Sequence, residues 1–197
     1  MWSRSRPGWC SATTPVSSAR RITGSATRLS PELPDSAFWR FSLEVYARDG
    51  VPAACLALQD REEADVNLIL FALWLAARGH RLEPETGQRL LRLAKRWQGP
   101  IVGPLRRVRR RLKQEAELPW AEAVEGWRRR LGEVELAMEQ VEQLLLEQAL
   151  GSVAIGPCDF GAAPVNLGAL GLARLLGAAE AVLLQREAFA IAQGPSG

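Results

Sequence analysis

The stretch from Asp65 to Gly79 constrains the fold more than any other part of the sequence. Asp65 is a preferred residue for the N-cap of a helix, and Gly79 suits the left-handed backbone that follows one. The side chains between them leave no polar face, and a helix that is apolar on all sides belongs inside a bundle. The apolar run is roughly ten residues, whereas a bilayer span needs about twenty. Residues 65–78 are therefore predicted to form the buried central helix of an all-α protein.

The rest of the folded chain is predicted to form an irregular helical bundle around this helix. Prolines and capping residues indicate where helices begin, and glycines indicate where they end. The predicted helices begin at Asp35 or Ser36, at Pro52, at Pro84, near residue 104, at Pro119, and at Pro164 or Asn166. Gly99-Pro100 is expected to end one of these helices before the next begins. No strand-like alternation and no internal repeat is present.

The chain is predicted to contain one helical domain, residues 31–192, followed by a frayed tail at 193–197. Within it, residues 151–163 are rich in Gly and Pro and are expected to link the last helix, which runs to about Ala192. Residues 1–30 contain five arginines and no Asp or Glu, so they are expected to be a disordered leader. Their composition is typical of a transit peptide, of an unstructured leader, or of upstream sequence included through a misplaced start codon.

One long helix, residues 119–149, has an apolar heptad pattern. At 1.5 Å per residue it is about 45 Å long, longer than a compact core of this size is wide. Its end is expected to project from the core or to form a coiled coil with another helix. The apolar positions, spaced alternately by four and three, are Trp120, Val124, Trp127, Leu131, Val134, Met138, Val141 and Leu145.

Charge is distributed in two adjacent blocks of opposite sign. Residues 81–113 contain eleven Lys or Arg against two Glu, and residues 115–150 contain nine Glu against three Arg. A basic helix, residues 104–113, is the candidate interaction surface, with Arg106, Arg107, Arg109, Arg110, Arg111 and Lys113. These side chains could pair with the glutamates, contact a protein partner, or bind nucleic-acid phosphates. Nucleic acid is possible but not favoured, because no helix-turn-helix turn or aromatic RNA platform accompanies the arginines.

A second polar cluster, Gln59, Asp60, Asp65 and Asn67, lies among apolar helices. It could hold a ligand, but helix capping by Asp65 and its neighbours is favoured, because hard cations need more oxygen donors at tighter spacing. The three cysteines are far apart and accompany a single histidine, so no metal site is predicted. No nucleophile and base pair is recognisable, so no catalytic residue and no cofactor is predicted. Core positions are expected for Trp39, Trp74, Trp97, Trp120 and Trp127.

Three motifs carry a resemblance to a known family. They are FWxFSxxxYARxG from Phe38, CLxLQD from Cys55 and DVNLxLFxxWL from Asp65. Over residues 37–79 the chain resembles an uncharacterised family of small all-helical proteobacterial proteins. The resemblance implies a shared helical fold and a bacterial source, and it carries over no catalytic residue.

The function predicted from the sequence is that of a non-catalytic interaction or accessory protein, although an enzyme of unrecognised type stays open as a further alternative. The basic helix and the long helix are its expected contact surfaces, with a protein partner of unknown identity. The odd cysteine count suits a reducing compartment, so a cytoplasmic location is expected. The oligomeric state is left open.

Overall fold

The computed structural model describes residues 32–114, 120–151 and 157–194. The described residues from Leu33 onward form one compact unit. Its helices are α1 Ala37–Tyr46, α2 Val51–Arg61, α3 Val66–Ala77, α4 Pro84–Trp97, α5 Gly103–Gln114, α6 Ala121–Leu150, α7 Ala162–Ala169 and α8 Ala179–Ala192. The described ranges contain no strand, which confirms the predicted all-α class. Three predicted segments lie outside the described residues: the leader, residues 152–156 of the linker, and the end of the tail.

Helix α3 is the centre of the bundle, as its sequence predicts. Every residue from Val66 to Ala76 is buried, and the helix packs against α1, α6, α7 and α8. Asp65 caps its start, because its side chain accepts a hydrogen bond of 3.0 Å from the backbone N–H of Asn67. Gly79 follows its end with a φ of 73°, a conformation that glycine adopts without strain. The predicted caps and the predicted burial of this helix are confirmed.

Gly99-Pro100 does not interrupt the helical backbone between α4 and α5, so the predicted break between two helices is wrong. Residues Gln98–Val102 form one π-helical turn that joins α4 directly to α5. Proline has no backbone N–H to donate within an α-helix, and its ring crowds the preceding turn. The wider π-helical turn accommodates the proline. The turn holds the Gln98 side chain against α6, where it hydrogen-bonds Glu142.

The prediction of one continuous last helix is also wrong. The structure divides it into α7, a 3₁₀ turn at Ala173–Leu175, and α8. Gly171 lies between them with a φ of 72°, outside the α-helical region. The buried Asn166 side chain ties α7 to the end of α3, because its amide donates to the carbonyls of Ala72 and His80. Glycines in an Ala/Leu-rich run therefore mark a real interruption here.

Gly87 allows α4 and α7 to approach closely, and this gives a stability prediction. A Cβ at this position would lie 2.5 Å from the backbone oxygen of Ala169. Gly87→Ala should therefore lower the free energy of unfolding by about 1–3 kcal/mol, although glycine to alanine in an open helix normally raises it. Urea denaturation measures the change. Gly126→Ala in α6 is the matched control, because nothing lies within 4 Å of its Cβ position. Equal stability of the two variants would contradict the close packing.

Candidate functional site

Helices α5 and α6 pack side by side and are joined by ion pairs that use two of the predicted basic residues. Arg106 donates to Glu135 at 3.0 Å and to Glu139 at 2.5 Å, and Arg109 donates to Glu135 at 2.5 Å and 3.2 Å. Glu135 is 5% exposed. Burial by itself would raise the pKa of Glu135, but the hydrogen bonds from Arg109 and Arg106 outweigh it and lower the pKa. The group is a partly buried charged network between α5 and α6, with Glu135 as its most enclosed member.

The other members of the predicted basic surface lie on the exposed side of α5. Arg107, Arg110, Arg111 and Lys113 are all exposed. Arg110 forms a surface ion pair with Asp60, which also places Asp60 on the surface of α2. Arg107 forms no ion pair with any residue that the structure describes. The six basic residues are therefore divided into a paired inner set and an exposed outer set.

The apolar heptad positions of α6 do not face the core. At about 100° per residue, they lie about a quarter-turn from the buried residues Glu135, Glu142, Gln143 and Leu146. Trp120 is 71% exposed and Trp127 is 61% exposed, so the prediction that they are core residues is wrong for both. No residue of α6 before Glu135 is buried, so the first part of this helix contributes nothing to the core. We call positions Trp120, Val124, Trp127, Leu131 and Val134 the open seam, of which Trp120, Trp127 and Val134 are exposed and the other two are half-buried.

The heptad positions nearer the end of α6 are covered. Helix α4 lies beside this part, where the Trp97 indole donates to the carbonyl of Met138 at 2.8 Å and Arg89 donates to the carbonyl of Ala149 at 3.2 Å. Met138, Val141 and Leu145 are accordingly only partly exposed. The open seam is thus the continuation of a face that already binds a helix.

A buried polar network joins α1, α3 and α6 next to the ion pairs. The Ser42 hydroxyl donates to Gln143 at 2.9 Å, and the Gln143 amide donates to the Asn67 side chain at 2.8 Å. Asn67 in turn donates to Glu142 at 2.8 Å, and Gln98 donates to the same carboxyl oxygen at 2.5 Å. Of the predicted polar cluster, Asp65 and Asn67 lie at this network. Gln59 lies at the edge of the neighbouring pocket.

Glu142 is the residue of this network that sequence reasoning missed. It is 1% exposed, and its second carboxyl oxygen has no donor among the described residues. Burial and the adjacent Asp65 raise the pKa of Glu142 to about 10, and burial also raises the pKa of Asp65. Burial beside Asp65 therefore favours the neutral, protonated form of the Glu142 carboxyl group. The spacing of Glu135, Glu139 and Glu142 by four and three indicates a common face, and this signal was available in the sequence.

The neutral state of Glu142 gives a pH prediction. Between about pH 5 and pH 9 an unfolded glutamate has lost its proton while the folded Glu142 keeps it, so the folded state binds more protons. Stability should then fall as pH rises, by up to about 1.4 kcal/mol per pH unit. Glu142→Gln should flatten this dependence, although Asp65 and Glu139, whose pKa values are also raised, retain part of it.

Urea denaturation at several pH values measures this effect. Glu133→Gln is the control, because Glu133 is an exposed carboxylate on the same helix. A Glu142→Gln variant with the same pH dependence as the parent would show that Glu142 is ionised in the fold.

A pocket of about 480 Å³ lies between α1, α3, α5 and α6, and it brings the two predicted sites together. Asp65 and Asn67 line it from α3 and the preceding loop, and Arg106, Arg107 and Arg110 line it from α5. Glu63 also lies on its edge, with a φ of 49° that non-glycine residues rarely adopt. The described residues contain no group of three His, Cys, Asp or Glu that could hold a metal ion.

Comparison with known proteins gives the family of this chain. Residues 37–146, more than half of the sequence, match the model of a family described as a protein of unknown function, DUF2390. The chain belongs to this family. The match includes the central helix, the pocket-lining residues and the open seam, whereas α7 and α8 lie outside it. No curated protein and no solved structure matches the chain significantly, and the family description assigns no activity. In the described ranges, no helix has the length and apolarity needed to cross a membrane.

Proposed function

We propose that this protein is a non-catalytic interaction protein that binds a helix of a partner protein along the open seam. The observation that supports this most directly is the exposure of Trp120 and Trp127 on a face that α4 covers farther along the same helix. Tryptophan is enriched among the residues that dominate binding energy in protein interfaces. A partner helix placed there would extend the existing contact between α4 and α6.

The partner helix is proposed to be acidic. Arg128 and Arg130 lie next to the open seam, at the positions that set partner choice in paired helices. Arg130 already stacks on Trp127, with 5.2 Å between the guanidinium carbon and the ring centroid. Arg128 already pairs with Glu125 on the same helix, so a carboxylate on the partner would meet Arg130.

The cysteines support a non-catalytic role and a reducing compartment. Cys55 and Cys158 are both free thiols. Burial raises the pKa of Cys55 to about 12, so its thiol stays protonated and is a poor nucleophile. We propose a bacterial, cytoplasmic protein that needs no cofactor for binding.

Nucleic acid is the second candidate, favoured by the exposed cations of α5. Phosphate contacts could form at Arg107 and Lys113. This candidate ranks lower because Arg106 and Arg109 are already engaged with Glu135, and Arg110 with Asp60. Fewer cations are available than the sequence indicates.

The experiment uses the full chain and two labelled amphipathic peptides of about four heptads. Both peptides have leucine at their apolar heptad positions. At the positions that flank the leucines, one peptide has glutamate and the other has lysine. We expect the acidic peptide to bind, and the double variant Trp120→Ala, Trp127→Ala to weaken it by at least about tenfold in fluorescence anisotropy. Leu176→Ala, an exposed apolar residue outside α6, is the matched control and should leave binding unchanged.

Three results would overturn the proposal. They are absence of binding by the acidic peptide, equal binding of both peptides, and equal binding by the double variant and the parent. Sedimentation that shows a dimer dependent on Trp127 would replace the partner helix with a second copy. Binding of duplex DNA that weakens steeply with salt would favour the second candidate instead.

A further inference from the structure

The pocket between α1, α3, α5 and α6 has the size and lining of a small-molecule site. Its volume of about 480 Å³ falls in the range of ligand pockets in proteins. Trp39, Leu43 and Tyr46 line it from α1, where their spacing by four and three places them on one face. Leu70 and Leu136 add apolar surface from α3 and α6. This apolar side of the pocket suits the flat ring of an aromatic ligand.

The polar groups deeper in the pocket are already satisfied by one another. Ser42, Asn67 and Gln143 use their side chains in the buried network, and Gln98 donates to Glu142. Asp65 accepts from the backbone of its own helix. These groups therefore hold the shape of the pocket and leave recognition of a charged ligand to other residues.

The residues that remain for charge recognition are cationic. Arg106 is neutralised by Glu135 and Glu139. Arg107 has no ion pair within the described ranges, and the exposed pair of Arg110 with Asp60 is of a kind that contributes only about 0–1 kcal/mol. Glu63 is exposed at the edge and pairs with neither arginine in the described structure. Arg107 and Arg110 are three residues apart on α5, so both can reach one anionic group.

We propose that this pocket binds a small aromatic carboxylate, with its ring against Trp39 and Tyr46 and its carboxylate at Arg107 and Arg110. Guanidinium groups suit planar carboxylates because they can donate two parallel hydrogen bonds. The site is separate from the open seam, since neither Trp120 nor Trp127 lines it. A failure of this proposal therefore leaves the proposed helix binding unaffected.

The test compares three probes with one aromatic body and different charge. They are 2-naphthoate, 2-naphthamide and 2-naphthylmethylammonium, titrated into the full chain by calorimetry. We expect 2-naphthoate to bind at least about tenfold more tightly than the amide, and the ammonium probe to bind least. Arg107→Gln with Arg110→Gln should remove the advantage of 2-naphthoate and leave the amide unchanged. Lys113→Gln, an exposed cation on the same helix outside the pocket, is the matched control.

A further variant tests the position of the ring. Tyr46→Ala should weaken 2-naphthoate and 2-naphthamide alike, and Tyr46 is exposed enough for the fold to tolerate it. Equal affinity for the three probes, preference for the ammonium probe, or undiminished 2-naphthoate binding by the double arginine variant would each overturn the proposal. Thermal denaturation of every variant confirms that it is folded.

Discussion

Glu135→Ala should lower the free energy of unfolding by about 3–5 kcal/mol. Glu135 accepts hydrogen bonds from both Arg106 and Arg109, and its removal leaves two guanidiniums without their shared partner. Breaking a buried ion pair on one side is costly because the remaining charge stays in a poorly solvated place. Arg109 loses its only ion-pair partner in the described structure, whereas Arg106, the more enclosed of the two, keeps Glu139. Urea denaturation at neutral pH measures it.

Glu133→Ala is the matched control for this prediction. Glu133 is exposed and lies two residues away on the same helix, so its loss should change stability by no more than about 0.5 kcal/mol. Raising the salt concentration should do little for Glu135→Ala, since buried charges are poorly screened. A loss below about 1 kcal/mol for Glu135→Ala would show that α5 is held to α6 by other contacts.

Trp74→Ala should cost about 3–5 kcal/mol of unfolding free energy as well, through loss of apolar burial and the cavity left behind. Trp74 is buried, and its ring centroid lies 5.4 Å from that of Phe38 and 5.7 Å from that of Phe71. The substitution therefore removes one of three rings that pack α1 against α3. A loss of this size is enough to unfold a domain of ordinary stability.

Trp74→Phe separates the packing of the ring from its polar N–H. The indole nitrogen of Trp74 is buried and has no hydrogen-bond partner among the described residues. Phenylalanine keeps an aromatic ring and removes this unpaired donor, so the loss should be clearly smaller than with alanine. If Trp74→Ala unfolds at the same urea concentration as the parent, α3 is not the centre of the core.

Helix α3 could be predicted from the sequence because its signals are local. Asp65, the apolar run and Gly79 specify the start, the burial and the end of one helix without reference to the rest of the chain. The π-helical turn at Gly99-Pro100 could not be predicted in this way. Whether a proline breaks a helix or widens one turn depends on what packs around it, here the contact of Gln98 with Glu142.

The site shows the same division between local and tertiary information. The heptad pattern of α6 correctly indicates a long amphipathic helix, but it does not say how far α4 reaches along it. Trp127 is therefore exposed although its spacing matches that of Met138. Likewise, the charge blocks indicate possible pairing of arginines with glutamates, while the choice of Arg106 and Arg109 depends on which side of α5 faces α6. The raised pKa of Glu142 follows only from its burial beside Asp65.

Amide hydrogen exchange with and without the acidic heptad peptide tests the proposed function most directly. Exchange is followed along the full chain, so it locates the bound peptide without any substitution. We predict new protection confined to residues 120–134, with α8 unchanged. Protection at the exposed side of α5 instead of residues 120–134, or no change anywhere at saturating peptide, would contradict the proposal that the open seam binds a helix.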